Sequence, residues 1–142
     1  MTIKEVKNYL LQLRKLDRMI SNKLIEKEQW RDIALGVVAA NSEGVRVQSS
    51  GSQQKMADAI DKCVDIEAEV NRHIDDLYSA KRDVLAVIER LDVQEYDLLH
   101  KVYVQYMELF EAAEAMGKSY SWATTVHGRA LKHVRDILDE RN

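Results

Sequence analysis

The sequence has no proline, one cysteine and only five glycines among its 142 residues. Proline kinks or ends a helix and glycine destabilises a helix interior, so the scarcity of both allows long helices. The single cysteine, Cys63, excludes an internal disulfide and is typical of a reducing cytoplasm. With 46% hydrophobic and 32% charged residues, the composition favours amphipathic helices over a sheet. We therefore predict an all-α fold.

Long apolar segments are missing as well. The longest covers residues 33–40 and is interrupted by Gly36, which makes it far too short to cross a bilayer. The N-terminus lacks the pattern of a signal peptide, because Lys4, Glu5 and Lys7 belong to a stretch that is amphipathic rather than apolar. These absences predict a soluble cytoplasmic protein without a membrane partner.

Two long stretches carry apolar residues at the spacing of a helix, and each follows a seven-residue repeat. Residues 2–35 carry the stripe Ile3, Val6, Leu10, Leu13, Ile20 and Leu24, and residues 55–91 carry Met56, Ile60, Cys63, Val70, Ile74, Leu77, Val84, Ile88 and Leu91. Residues 41–54, between them, are rich in serine, glycine, glutamine and asparagine and predict a linker. We expect the two helices to pair antiparallel as a long, coiled-coil-like helical hairpin over residues 1–91.

Polar residues interrupt these stripes at Asp17, Glu67 and Lys81. Such residues either lie on the seam, where they set register or partner number, or face outward from a curved helix, and the pattern leaves both open. Replacing Ile74 by aspartate is expected to break the seam, because it would bury a charge without a partner.

The hairpin also has more apolar residues than one pair of helices needs to bury. The apolar residues off the main seam include Leu11, Leu16, Ile66, Tyr78 and Leu85. We therefore predict a homodimer through residues 2–91, which suits DNA-reading proteins that match a two-fold symmetric site.

Residues 92–142 predict three further helices. Asp92 and Glu95 form a capping-box pattern at the start of the first, and its predicted buried face consists of Leu98, Leu99, Val102, Tyr103 and Tyr106. The second, a short helix, should end at Gly117, where glycine tolerates positive φ, and Ser119 should cap the third. Two helices joined by a short glycine-containing turn predict a helix-turn-helix motif, whose second helix is offered to a DNA groove.

This turn resembles that of a known family. Residues 111–119 have the order Glu-x-Ala-x-x-Met-Gly-x-Ser, and residues 127–135 read His-Gly-Arg-Ala-Leu-Lys-x-Val-Arg. The order resembles the promoter-reading end, region 4, of bacterial sigma factors. The whole chain also resembles small sigma-like proteins of phages and prophages of Gram-positive bacteria, whose pattern is echoed in residues 55–60 and 65–71.

The resemblance implies that residues 92–142 form a sigma-region-4-like helix-turn-helix domain of a late-gene transcriptional regulator. The partners it implies are double-stranded DNA and host RNA polymerase. A complete sigma factor is not expected, because everything before residue 92 is coiled-coil-like and leaves no room for a domain that melts DNA.

The resemblance also assigns contacts with DNA. The positions that face base edges are Tyr120, Ser121, Thr124 and Thr125, and those nearer the phosphate backbone are Trp122, Arg129 and Lys132. Hydroxyl groups can bond to base edges, and a threonine methyl can touch thymine. The alternative is that the two aromatic residues fold over the small residues Ala112 and Ala123, and that the two basic residues lie on an ordinary solvated face.

Charge is distributed unevenly along the chain. The formal net charge of −3 argues against a general nucleic-acid binder, because binding phosphates needs local positive charge. Residues 92–117 carry one basic residue against six acidic ones, whereas residues 118–142 carry five against three. Positive charge therefore returns at the last predicted helix.

The sequence has no pattern of a catalytic or metal site. The four histidines and Cys63 lack the i, i+4 spacing that places two ligands on one helix face, and no phosphate loop or nucleophile motif is present. We predict no enzyme activity, no metal and no cofactor. Two other functions fit such a chain: a helical adaptor or inhibitor that has lost DNA reading, and a small subunit of a DNA-packaging complex. Salt-dependent binding to promoter fragments would indicate a regulator, and a ring-sized oligomer would indicate packaging.

Overall fold

The computed structural model describes residues 1–42 and 50–142. Over these residues the protein is all-α, as predicted, and begins with two long helices. The helices are α1 (Ile3–Ser42), α2 (Ser50–Ile88), α3 (Val93–Leu99), α4 (Leu109–Ala115) and α5 (Tyr120–Glu140), and a π-helical turn (His100–Val104) follows α3 directly. No helix in this part of the chain has both the length and the apolar character that crossing a membrane requires.

The linker is shorter than the sequence predicts. α1 continues to Ser42 and α2 begins at Ser50, so both ends of the predicted segment 41–54 are helical. Serine, glutamine and asparagine weaken a helix only slightly, and no proline is present to stop either helix. A polar composition alone therefore does not end these helices. Residues 43–49 of the predicted linker lie outside the described residues. The C-terminal end of α2 is at Ile88 rather than at residue 91.

The described residues form two compact units, residues 1–16 with 76–142 and residues 17–75. The first unit contains the main core. This core joins Val6, Leu10 and Leu13 of α1, Val84, Val87 and Ile88 of α2, Leu99, Tyr103, and Ala130, Leu131 and Val134 of α5. The ends of α1 and α2 in this unit therefore bury one side of α5, and the core crosses the boundary predicted between residues 91 and 92.

Polar contacts hold the C-terminal end of α5 in the same unit. Arg141 donates to both carboxylate oxygens of Asp83, at 2.7 and 3.3 Å, and the Tyr9 hydroxyl donates to the same carboxylate. The Arg141 guanidinium lowers the pKa of Asp83, and burial raises the pKa of Tyr9. Arg90 and Glu140 add an ion pair at 3.2 Å. These contacts connect the end of α5 to α1 and α2.

α3 and the π-helical turn support α5. Leu98 and Leu99 are fully buried and Tyr103 is nearly so, which confirms most of the predicted buried face. The α-helix does not continue to Tyr106, however, because the π-helical turn follows Leu99 and Tyr106 itself has φ +63°. Such a conformation costs a bulky residue roughly 1–3 kcal/mol. A tertiary contact stabilises this backbone conformation, because the Tyr106 hydroxyl donates to the Leu13 carbonyl at 3.3 Å.

In the second unit α1 and α2 run antiparallel, as predicted. Lys23 pairs with Glu69 at 3.0 Å and Lys27 pairs with Glu67 at 3.7 Å, so residue numbers fall along α2 as they rise along α1. Glu67 is exposed, and in the first unit Lys81 of α2 is exposed as well. These two polar residues therefore face outward rather than lying on the seam.

Three members of the predicted stripes are not on the seam. Leu24 of α1 is 48% exposed, and Ile60 and Ile74 of α2 are 48% and 47% exposed. Ile66, predicted to lie off the seam, is buried. α2 has two neighbouring apolar rows, and only contact with α1 selects the row that is buried. The predicted position of Ile74 on the hairpin seam is therefore wrong, and a charge at this position would not be buried between α1 and α2.

Candidate nucleic-acid interface

The turn between α4 and α5 has the geometry that the sequence predicts. Gly117 adopts φ +66°, and its N–H donates to the Glu114 carbonyl at 3.0 Å. The Lys118 N–H donates to the Ala113 carbonyl at 2.9 Å. This pair of bonds is a Schellman motif, which favours glycine at the position of positive φ. The Ser119 hydroxyl then caps α5 by accepting a backbone N–H of its first turn at 3.1 Å.

Small side chains allow α4 and α5 to pack closely. Ala112, Ala113 and Ala123 are buried and share a compact core with Leu98 and Val126. Because alanine fills little space, the two helix backbones approach each other closely at these positions. The packing holds the first turns of α5 in one place relative to α4 and α3.

Enlarging one of these alanines tests the packing. Ala123→Leu adds three carbons at a fully buried position and is expected to lower the free energy of unfolding by about 1–3 kcal/mol. Urea unfolding followed by circular dichroism measures this change. Ala115→Leu is the matched control, because Ala115 of α4 is exposed and such a change stays within about 0.5 kcal/mol. Equal losses in the two variants would contradict the packing.

The N-terminal half of α5 presents the four predicted base-reading residues to solvent. They are Tyr120, Ser121, Thr124 and Thr125. Both threonine hydroxyls donate to the Ser121 carbonyl, at 2.8 and 3.1 Å. Their oxygen lone pairs and methyl groups remain available, so they can accept from an amino group of cytosine or adenine and touch a thymine methyl. The spacing i, i+1, i+4, i+5 places all four residues on one face of the helix.

Trp122 lies in different surroundings. It is half-buried and packs against the small core of α4 and α5. The Lys118 ammonium lies 5.4 Å from the centre of its ring, within the range of a cation–π contact. The indole thus adds to the core, as the alternative from the sequence has it, and its contact with a phosphate stays a prediction.

The two basic residues predicted near phosphates differ from each other. Arg129 lies 3.7 Å from a carboxylate oxygen of Asp92 and 3.8 Å from one of Glu95, both at the start of α3. Lys132 is exposed and, among the described residues, takes part in no ion pair. A phosphate would find Lys132 free but would compete with two carboxylates for Arg129. Lys132 is therefore the better candidate for a contact with the DNA backbone.

Glu95 has a role that the sequence patterns did not predict. Its N–H donates to the Asp92 carboxylate at 2.8 Å, as expected at a helix cap. Its side chain, however, is buried and accepts from His133 Nδ1 at 2.6 and 2.9 Å. A signal was present in the sequence, because Glu95 precedes Leu98 and Val102 at helical spacing and so shares the buried face of α3.

His127 connects α5 to the π-helical turn. Its Nε2 lies 2.7 Å from the Tyr103 hydroxyl, and the two rings stack with centroids 5.7 Å apart. Burial, with a smaller contribution from the positive charge of Lys7, lowers the pKa of His127, and burial raises the pKa of Tyr103 to about 12. A neutral imidazole protonated on Nδ1 can accept from this hydroxyl. The contact is structural and lies beside the proposed reading face.

The lowered pKa of His127 makes stability depend on pH. The unfolded imidazole has a pKa near 6.5, so below that pH the unfolded state binds more protons than the folded state. Stability is complete above this value and falls as the pH drops towards the folded pKa, by at most about 1.4 kcal/mol per pH unit. Protonation of carboxylates such as Asp83 lowers stability only at pH values near and below their ordinary pKa of 3.8.

Urea unfolding at about pH 7.5 and about pH 5.5 measures the effect within the window where this histidine titrates. His127→Gln is expected to lose less stability between the two pH values than the original chain, because its side chain does not titrate. A loss of the same size in both proteins would assign the pH dependence to other groups.

The exposed surface of α4 is acidic. Glu108, Glu111 and Glu114 are all exposed, and the aromatic ring of Phe110 is exposed among them. Three carboxylates on one short helix repel phosphates. This surface of α4 is therefore unfavourable for a phosphate backbone.

Comparison of the chain with protein-family models, curated proteins and solved structures found no match. Over the described residues the chain is an all-α protein in which a short turn joins α4 to α5. In the part of the chain that the structure describes, no three histidine, cysteine or acidic side chains are arranged to hold a metal ion.

Proposed function

We propose that this protein is a DNA-binding transcriptional regulator of the phage or prophage type, which reads a promoter with α5 and acts there with host RNA polymerase. One observation carries the proposal: directly after the Ser119 cap, α5 exposes four hydroxyl-bearing residues on one face. In helix-turn-helix proteins the N-terminal residues of the second helix contact base edges. The sigma-like order of residues 111–135 supports a promoter as the target.

The packing of α5 supports this function. Val126, Ala130 and Val134 are buried along its inner side, and Arg141 holds the chain just beyond its last turn to Asp83. A recognition helix must hold its contacting atoms within about 0.5 Å of their working positions. A helix packed along one side and tethered at its end meets this requirement better than an isolated helix.

Positive charge near the reading face is limited. Lys132 is exposed and free of ion pairs among the described residues, Lys118 lies over an indole ring, and Arg135 is 3.6 Å from Asp136. Each neutralised phosphate contributes about 0.9 to the slope of log K against log salt. With so few phosphate contacts, we expect weak nonspecific binding, a shallow salt dependence and a large share of affinity from base contacts.

Selection of bound fragments from random duplex DNA tests the proposal. We expect one enriched sequence, bound more tightly than scrambled DNA of the same length. A variant with alanine at both Thr124 and Thr125 is expected to lose this preference, whereas Lys81→Ala, at an exposed lysine of α2, is expected to retain it. No enriched sequence at a salt concentration of about 50 mM, where electrostatic binding is strong, would reject DNA reading.

A helical adaptor or inhibitor is the second candidate, and the charge distribution favours it. The acidic surface of α4 and the pairing of Arg129 with Asp92 and Glu95 both reduce the attraction for phosphates. Such a surface suits a basic region of a partner protein. This function is indicated if the stable, folded chain shows no DNA preference and α4 variants with glutamine at its glutamates lose binding to a basic protein partner.

A further inference from the structure

The second unit, residues 17–75, has an inner seam and two outer faces. On α2 the residues facing α1 follow alternating steps of three and four: Ala59, Cys63, Ile66, Val70 and His73. Cys63 Sγ lies 3.6 Å from the Lys27 carbonyl of α1, which places this row against α1. On either helix, the residue that follows each seam residue in the sequence lies on one side of the seam. The residue that precedes it lies on the other side.

The side that follows the seam carries exposed aliphatic side chains with polar residues between them. On α2 it carries Ile60, Val64 and Ile74, and on α1 the same rule places Leu24 and Leu35 there. These five residues, which we call the apolar face, are between 47% and 60% exposed. Half-exposed aliphatic side chains are ordinary singly, but a cluster of them on one face marks an interaction surface.

The side that precedes the seam is charged. A groove of about 490 Å³ lies there, lined by Trp30, Ile33, Lys55, Asp58, Asp61, Lys62 and Asp65. Two lysines and three aspartates line it beside Trp30 and Ile33, and these charged side chains keep this side solvated. Exposing the apolar face to water therefore costs more free energy than exposing the charged side.

Charged residues on the same side of the seam, between the members of the apolar face, already have partners. Glu67 lies 3.7 Å from Lys27, and Glu28 lies 3.9 Å from Arg31. Covering this side would bury these groups as ion pairs, which costs less than burying an unpaired charge.

We propose that the apolar face pairs with the same face of a second copy of this chain, forming a four-helix bundle from two hairpins. Five half-exposed side chains amount to on the order of 500 Å² of apolar surface, at the upper end for a monomer. Two such faces together bury roughly 1,000 Å² when fully covered, which is the lower bound for a specific interface. A second copy supplies a matching apolar surface of the same size, and a two-fold axis pairs the faces without leaving either uncovered.

The apolar face differs from the dimer surface predicted from the sequence. Ile66, counted there as surplus, belongs to the inner seam, whereas Ile60 and Ile74, counted as seam, belong to the apolar face. The proposal does not depend on DNA binding, because it concerns only the hairpin.

Sedimentation equilibrium of the full chain and of single variants tests the interface. Ile74→Lys and Val64→Lys are each expected to raise the dimer dissociation constant roughly 100-fold or more, because the two-fold axis brings two added charges into an apolar interface. Ile33→Lys is the matched control: Ile33 is also 47% exposed but lines the charged groove, so its dissociation constant should stay within about 3-fold.

Circular dichroism melts of the same variants show whether the hairpin is intact, and we expect unchanged helix content in all three. A wild-type chain that is monomeric at micromolar concentration overturns the proposal. So does a dimer that neither Ile74→Lys nor Val64→Lys weakens, or one that Ile33→Lys weakens equally. Dissociation confined to the apolar-face variants supports it.

Discussion

Replacing both Arg129 and His133 by alanine is expected to lower the free energy of unfolding by about 3 kcal/mol. These side chains are the basic partners of Glu95, whose carboxylate is 2% exposed and lies 2.6 Å from His133 Nδ1 and 3.8 Å from the Arg129 guanidinium. Without them a buried carboxylate loses its compensating charge and a strong hydrogen bond. Urea unfolding of the double variant measures the loss.

The same variant offers an internal rescue. Adding Glu95→Gln is expected to restore most of the stability, because a neutral amide does not carry the desolvation cost of a charge. Lys132→Ala is the matched control on the exposed side of α5 and should change stability by no more than about 0.5 kcal/mol. If the double variant is as stable as the original chain, or if glutamine deepens its loss, Glu95 does not depend on these partners.

Thr125→Ala is expected to weaken binding to the selected DNA sequence by about 1–3 kcal/mol and to leave binding to scrambled DNA nearly unchanged. The Thr125 hydroxyl is exposed, and its hydrogen bond goes to the Ser121 carbonyl of its own helix. Removing it therefore takes away an acceptor and a methyl group from the reading face without disturbing the core.

Lys132→Ala is expected to act differently on the same DNA. Loss of a phosphate contact weakens binding to all sequences alike and reduces the salt slope by about one. Titration of both variants on selected and scrambled fragments, at two salt concentrations, separates the two effects. Equal affinity for both fragments in the original chain, with neither variant differing from it, would remove α5 from DNA reading and favour the adaptor.

Arg129 is not a clean probe of DNA contact, although the sequence places it beside Lys132. Its ion pairs with Asp92 and Glu95 mean that Arg129→Ala changes the start of α3 as well as the charge offered to a phosphate. A fall in the DNA affinity of that variant can be assigned to a lost phosphate contact only when its free energy of unfolding is measured as well. Among the described residues, Thr125 and Lys132 make no ion pair with α3, so their alanine variants change the DNA contact without changing the start of α3.

Local features of the chain were predictable from the sequence because their causes lie within a few residues. Gly117 has no side chain and follows a short apolar helix, which predicts its positive φ. Ser119 has a hydroxyl directly before the next helix, which predicts its role as a cap. The absence of proline permitted two helices of about the expected length. Val126, Ala130 and Val134 also recur at helical spacing, and all three face inward.

Only the tertiary structure decided which of several possible surfaces is used. Helical periodicity fixes how residues are arranged around one helix, but not which row a neighbouring helix covers. Packing against α1 therefore chose Ile66 and left Ile74 half-exposed. In the same way, the arrival of α5 beside α3 gave the buried Glu95 its histidine and drew Arg129 towards acidic partners. These contacts join residues far apart in the chain, so no local pattern specifies them.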